Sequence, residues 1–149
     1  MTYEPDWNVL TSTCPSRTSL ARIANKWTAM IVIVLGRGRT RFRDLKSAVE
    51  GISGKVLTET LRDLERDGLV NRIVFAEVPP RVEYELTDLG QTLHAPLSAI
   101  GQWAEAHIVE VLVARERYDL VPSETRVSGG SHGGIEVRPG QRDAVDGTG

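Results

Sequence analysis

Residues 51–70 read GISGKVLTETLRDLERDGLV. Ser53 suits an N-cap, because its hydroxyl can accept a hydrogen bond from an unpaired first-turn N–H. Gly68 suits the stop, where a left-handed residue is needed and glycine adopts it freely. Between them Leu57, Leu61 and Leu64 recur at intervals of four and three, so they share one side of a helix. Lys55, Thr58, Glu59, Arg62 and Arg66 fall on the opposite side. The stretch is predicted to be an amphipathic helix with an apolar back and a polar front. Its neighbours decide what the front is for.

Upstream, Arg39–Val49 reads as another helix, with Phe42, Leu45 and Val49 as its apolar face. Glu50-Gly51-Ile52 is a tight turn between the two, with glycine at the sharp bend. Two short helices joined this way form a helix-turn-helix. Further upstream, KWTAMIVIVL (Lys26–Leu35) reads as a buried helix closed by Gly36 and Gly38. Cys14-Pro15-Ser16 opens a first helix, with Leu20, Ile23, Ala24 and Trp27 at helical spacing.

Downstream of Gly68 the period changes from 3.6 to 2. Ile73 and Phe75 alternate with Arg72 and Val74; Val82, Tyr84 and Leu86 alternate with Arg81, Glu83 and Glu85. These are two strands, and Pro79-Pro80 marks the loop of their hairpin. Thr87-Asp88 then caps a last helical region running to about Arg117, its acidic first turn suiting the positive helix end. Leu89, Leu93, Leu97, Ile100, Ala104, Ile108 and Val111 form its apolar stripe, with Trp103 alongside. Pro96 is expected to kink or divide it. The stripe is longer than a small domain needs for its own core, so it reads as a dimer seam, with an intramolecular core contact as the alternative.

Composition sets bounds. The chain has 149 residues, 40% of them hydrophobic, and a net charge of −2. The length suits one domain with additions. Gly36–Arg81 carries ten Lys/Arg against seven Asp/Glu, inside a chain that is otherwise acidic. That distribution is compatible with a local phosphate-binding face. A single cysteine, Cys14, argues against a disulfide-stapled secreted fold. The acidic start MTYEPDWNVL lacks signal-peptide features, and the longest apolar run, Ala29–Leu35, is too short to span a bilayer. We therefore expect no membrane partner and a cytoplasmic, nucleoid-associated protein. Residues 1–13 read as a loosely held arm whose Trp7, Val9 and Leu10 could dock on a partner. Residues 14–118 read as the folded domain. Residues 119–149 hold seven of the fourteen glycines and few apolar residues, and are expected to be disordered.

The element order predicts a mainly α fold with a small two-stranded β-hairpin, an α+β winged helix-turn-helix. In that arrangement the second helix of the pair enters the DNA major groove. Phosphate contact requires cations around it: Arg37, Arg39, Arg41 and Arg43 precede the pair, and Arg81 lies at the wing. Ser53, Lys55, Thr58 and Arg62 are candidates on the helix itself, since reading bases requires donors and acceptors along a groove. Glu59 could accept from a cytosine amino group or pair with Arg62 or Lys55.

From Cys14 to about Trp103 the chain resembles the HxlR family of bacterial winged-helix transcription regulators, relatives of the MarR group. The matching pieces are Cys14-Pro15, Lys26-Trp27, Arg41-Phe42-Arg43-Asp44-Leu45, Gly51-Ile52-Ser53, Leu57-Thr58, Leu61-Arg62, Leu64-Glu65 and Gly68-Leu69-Val70. The run Val78-Pro79-Pro80-Arg81-Val82-Glu83-Tyr84, with Leu86-Thr87 and Gly90, completes them. Asn25 departs from the glycine that the family commonly has before Lys-Trp. The resemblance implies a homodimer binding a palindromic operator in double-stranded DNA, with N- and C-terminal helices building the dimer. It also implies a role for Cys14, since some relatives use a cysteine there to sense oxidants or electrophiles.

Sensing requires a thiolate, favoured by a helix N-terminus or nearby cation. Cys14 precedes a predicted helix, and Arg17 is close in sequence. The bland alternative is a packed interface cysteine. His94, His107 and His132 have no metal-ligand spacing, so we expect no metal or other cofactor. No catalytic constellation is present, so we expect no enzyme. Two alternatives stand beside the DNA-binding reading: a winged-helix protein-interaction module, and a regulator controlled by a non-covalent small-molecule ligand.

Overall fold

The helix at 54–66 is held as its sequence dictates. In the computed structural model, which describes residues 7–122, α4 (Gly54–Arg66) begins behind Ser53, whose hydroxyl accepts the Val56 N–H at 3.1 Å. It stops before Gly68, which takes φ +72°. Leu57, Leu61 and Leu64 are completely or almost completely buried.

The preceding elements are α1 (Pro15–Ile23), α2 (Lys26–Leu35), β1 (Thr40–Arg41) and α3 (Phe42–Ala48); β2 (Val70–Phe75), β3 (Arg81–Leu86) and α5 (Asp88–Leu120) follow α4. Between α3 and α4, Gly51 turns the chain at φ +87°. The core brings together Ile31, Val32 and Leu35 of α2, Leu45 of α3, the three leucines of α4, Val70, Tyr84 and Leu86 of the hairpin and Leu97 of α5.

Three details differ from the sequence reading. The helix expected from Arg39 starts at Phe42. Thr40 and Arg41 are extended and pair antiparallel with Tyr84 and Glu83, so the sheet has three strands in the order β1-β3-β2. A β-branched threonine after Gly38, itself at φ +136°, favours that extended start. Second, Trp27 does not continue α1. The chain bends by 75° between α1 and α2, and the Asn25 side chain caps α2 by accepting the Trp27 N–H at 2.9 Å. The departure from the family pattern at position 25 thus supplies a helix cap. Third, α5 runs past Pro96 without ending.

Helix α5 is fastened at its start. The Thr87 N–H donates to the Leu69 carbonyl at 3.0 Å. The Thr87 hydroxyl donates to the Gly68 carbonyl at 2.6 Å and accepts the Gly90 N–H at 3.0 Å. One threonine therefore joins the stop of α4 to the start of α5. Gly90 lies so close beneath that a Cβ there would sit 2.0 Å from the Leu69 carbonyl oxygen. Alanine is the better helix former by about 1 kcal/mol, but the collision forces backbone apart. Gly90→Ala should destabilise the fold by about 1–3 kcal/mol, read as a lower urea midpoint. An unchanged or raised midpoint would refute this packing.

Two compact units meet in sequence between Ala106 and His107. In the first, Leu97 of α5 is buried and Leu93 packs against the core, while Ile100 and Trp103 are exposed. In the second, Ile108, Val109, Leu112, Val113 and Tyr118 are exposed along α5. His94 is half-buried, its ring occupying the space where a Gly36 side chain would go. His107 lies 3.1 Å from Glu110. The glycine-rich tail from 123 onward, His132 and residues 1–6 of the arm lie outside the described residues. Of the arm's candidate docking residues, Trp7, Val9 and Leu10 are all exposed.

Candidate nucleic-acid interface

A groove of about 890 Å³ opens between α4 and the β2–β3 hairpin. Thr58, Arg62 and Glu65 line it from α4, and Arg41, Phe42 and Arg43 from the β1–α3 junction. The hairpin contributes Arg72, Tyr84 and the tip from Glu77 to Val82. Five arginines against two glutamates make its rim cationic. The strand-to-helix junction at 41–42 delivers the first cations. The buried leucines of α4 force its polar face outward.

The reading candidates separate by what they already bind. Lys55, Glu59 and Arg62 are exposed, and Lys55 and Arg62 have no ion pair among the described residues. The Thr58 hydroxyl donates to the Gly54 carbonyl at 2.8 Å. It can still accept a hydrogen bond, and its methyl is available for apolar contact. Ser53 uses its oxygen as a cap acceptor, which leaves its O–H proton for an outside acceptor.

The flanking arginines are mostly engaged. Arg39 pairs with Glu85 at 2.9 Å, and Arg41 with Glu83 at 3.8 Å. Arg43 lies 3.8 Å from Asp44 with its side chain 81% exposed, a loose pair that a phosphate can displace. Arg81 is the most enclosed. It stands 3.3 Å from Glu77 and 3.4 Å from Glu83, and its guanidinium stacks 4.0 Å from the Phe75 ring. Arg81, the wing candidate of the sequence, lines the groove while in contact with Glu77, Glu83 and Phe75. Arg72, which sequence reasoning passed over, is exposed on β2 and has no ion pair among the described residues. Strand parity could have found it, because Arg72 shares its face with Val70 and Tyr84 rather than with the acidic Glu83 and Glu85.

Cys14 is the N-cap of α1 and partly exposed. Its Sγ lies 2.9 Å from the Ser16 hydroxyl. That hydrogen bond is the main reason the thiol is held below the usual cysteine range. Arg17, the cation suggested by the sequence, instead directs its guanidinium to the Leu10 carbonyl at 3.4 Å. At the far end of α1, Arg22 grips both carboxylate oxygens of Asp67, the C-cap of α4, at 2.6 and 2.7 Å. The pairing raises the Arg22 pKa. No cluster of His, Cys, Asp or Glu suited to a metal ion occurs among the described residues. No single helix among them is long and apolar enough to cross a membrane.

Comparisons with known proteins agree with this geometry. A family model described as HxlR-like helix-turn-helix matches residues 22–112. The chain is 39% identical over 109 residues to YtfH of Escherichia coli K12, described as an uncharacterized HTH-type transcriptional regulator. That alignment covers 73% of this chain and 86% of YtfH. Among solved structures, YtfH from Salmonella typhimurium superposes with a TM-score of 0.71 at 38% identity, covering 74% of this chain and 99% of that one. The redox regulator HypR in its reduced form superposes with a TM-score of 0.60 at 35% identity, covering 67% and 98%. HypR has also been solved in an oxidized form.

Proposed function

We propose, since this chain belongs to the HxlR-like helix-turn-helix family of transcriptional regulators, that it is a homodimer reading a palindromic operator in double-stranded DNA. The observation that carries this reading is the arginine-lined groove beside the exposed polar face of α4. Helix α4 enters the major groove, where Lys55 and Arg62 donate to base edges and Glu59 accepts. The Ser53 hydroxyl and Arg43 take backbone phosphates. The hairpin follows the flanking backbone. A surface used only for protein contact would present apolar side chains at 55, 59 and 62, and these are charged.

The dimer rests on the apolar residues that α5 leaves in solvent and on α1, which has no buried residue of its own. A twofold dimer carries its reading helices to half-sites about 34 Å apart, one turn of DNA. The test is a gel-shift with fragments of the promoter beside its gene, against scrambled DNA of the same length. Specific retention that falls steeply with salt is expected. Weak, sequence-blind binding would overturn the reading.

The Ser16–Cys14 contact favours a second element, control by oxidants or electrophiles at Cys14. A hydroxyl 2.9 Å from sulfur stabilises the thiolate, which is the reactive form. With one cysteine per chain, oxidation joins two subunits, recruits a small thiol or stops at a modified sulfur. Because the folded pKa is lowered, the thiolate fraction rises at a pH below that of an ordinary cysteine near 8.5. The iodoacetamide rate plotted against pH should therefore show its midpoint below that of a cysteine peptide. Ser16→Ala should move the midpoint upward. Diamide should release the parent protein from DNA and leave Cys14→Ser bound. Equal release of both proteins would exclude sensing at Cys14.

A further inference from the structure

The cations around the groove are not equivalent, and the sheet register says why. Residues that face each other across β2 and β3 stand on the same face. Asn71, Ile73 and Phe75 share one face with Glu85, Glu83 and Arg81. That face supplies the acids. Glu85 holds Arg39, and Glu83 stands between Arg41 and Arg81, with Glu77 closing the chain of pairs. Its positive charge is largely spent inside the sheet.

The other face carries Val70, Arg72 and Val74 opposite Leu86, Tyr84 and Val82. It has no acid. Its inner end, at Val70, Tyr84 and Leu86, is buried in the core. Its outer end, together with the hairpin tip that carries the paired Glu77 and Arg81, forms the hairpin wall of the groove, where Arg72 stands with Arg62, Thr58 and Glu65 of α4. Arg72 is the one hairpin cation on this face, and no acid among the described residues forms an ion pair with it.

We propose that Arg72 is the hairpin's phosphate-binding residue, facing Arg62 across the groove, and that Arg81 instead braces the hairpin. The proposal rests on the DNA-binding reading and assigns a residue to it. An arginine carried on a strand anchored by Val70 and Tyr84 is presented to the groove without ordering a loop. It therefore sets the angle at which α4 enters the groove. A phosphate contact fixes register but carries no base information. Arg72 thus contributes affinity and placement, and Arg62 adds base reading at its end of the helix.

The test is the slope of log K against log salt for a bound operator and for scrambled DNA. Each phosphate contact contributes about 0.9 to that slope. Arg72→Gln, which keeps much of the side-chain stem, should lower the slope by about 0.9 per bound protomer. It should weaken binding to both DNAs by the same factor and leave the thermal midpoint unchanged. Arg72→Lys should restore the slope. Arg81→Gln should leave the slope within error of the parent and lower the thermal midpoint. A parent-like slope for Arg72→Gln, with the parent binding its operator normally, would overturn the assignment and leave the DNA-binding reading intact. A slope lost in Arg81→Gln rather than Arg72→Gln would reverse the two roles. If the parent itself shows no operator preference, the underlying reading fails instead.

Discussion

Leu61→Ala is expected to lower the unfolding free energy by about 2–5 kcal/mol and, at low protein concentration, to abolish DNA binding. Leu61 is 1% exposed, between Leu57 and Leu64, which are both wholly buried. Its removal takes away three carbons and leaves a cavity that the surrounding helices fill only in part. The cost falls on α4 more than on the fold average. The opposite face of that helix has no packing to hold it, and its ends depend on Ser53 and on the turn at Gly68. A domain of this size has about 5–15 kcal/mol of stability in total, so the loss is a large fraction. Urea denaturation followed by circular dichroism gives the midpoint, and a gel-shift at the same temperature gives binding. A midpoint within error of the parent would mean that the three leucines do not anchor the reading helix.

That dependence explains why the fold was legible from residues 51–70. Leucine spacing, an N-cap serine and a positive-φ glycine are local signals, and each acts over one or two turns. The hairpin was legible for the same reason, through its period of two and its proline loop. The strand at Thr40–Arg41 was not. Two residues carry no period, and their extended conformation is fixed by pairing with Tyr84 and Glu83, more than forty positions away. The break between α1 and α2 was hidden because Leu20, Ile23, Ala24 and Trp27 keep helical spacing through it. The signal was Asn25, a good cap residue, which reads as a mere family departure until the Trp27 N–H is seen to bind it.

The candidate site divides along the same line. The exposure of Lys55 and Arg62 is legible because helix periodicity places them opposite the leucines. Arg81 is a candidate by its position at the wing, and its contacts with Glu77, Glu83 and Phe75 are brought together only by the hairpin. The place of Arg72 in the groove lining is not legible, because an arginine next to alternating apolar residues looks like a solvated strand position. Ser16 was missed beside Cys14 because a hydroxyl two residues along a helix start carries no sequence signature of its own. Nearby cations are the more obvious guess, and Arg17 points elsewhere.

Arg62→Ala is expected to reduce the preference for operator over scrambled DNA by about 1–3 kcal/mol, roughly a factor of 5 to 150. Stability should hold, because the side chain is exposed and has no ion pair among the described residues. The effect should exceed that of Lys55→Ala. A guanidinium presents paired donors that match the two acceptors of guanine, whereas an ammonium is a single point charge. It should also differ in kind from the loss at Arg72, which weakens both DNAs alike. The measurement is competition of a labelled operator against unlabelled operator and scrambled duplex at fixed salt, for the parent, Lys55→Ala, Arg62→Ala and the double variant. Side chains one or two turns apart that read separate base pairs should give nearly additive losses. An Arg62→Ala protein that keeps the full preference while binding both DNAs more weakly would move Arg62 from the bases to the backbone. The reading would then rest on Lys55, Glu59 and the methyl of Thr58.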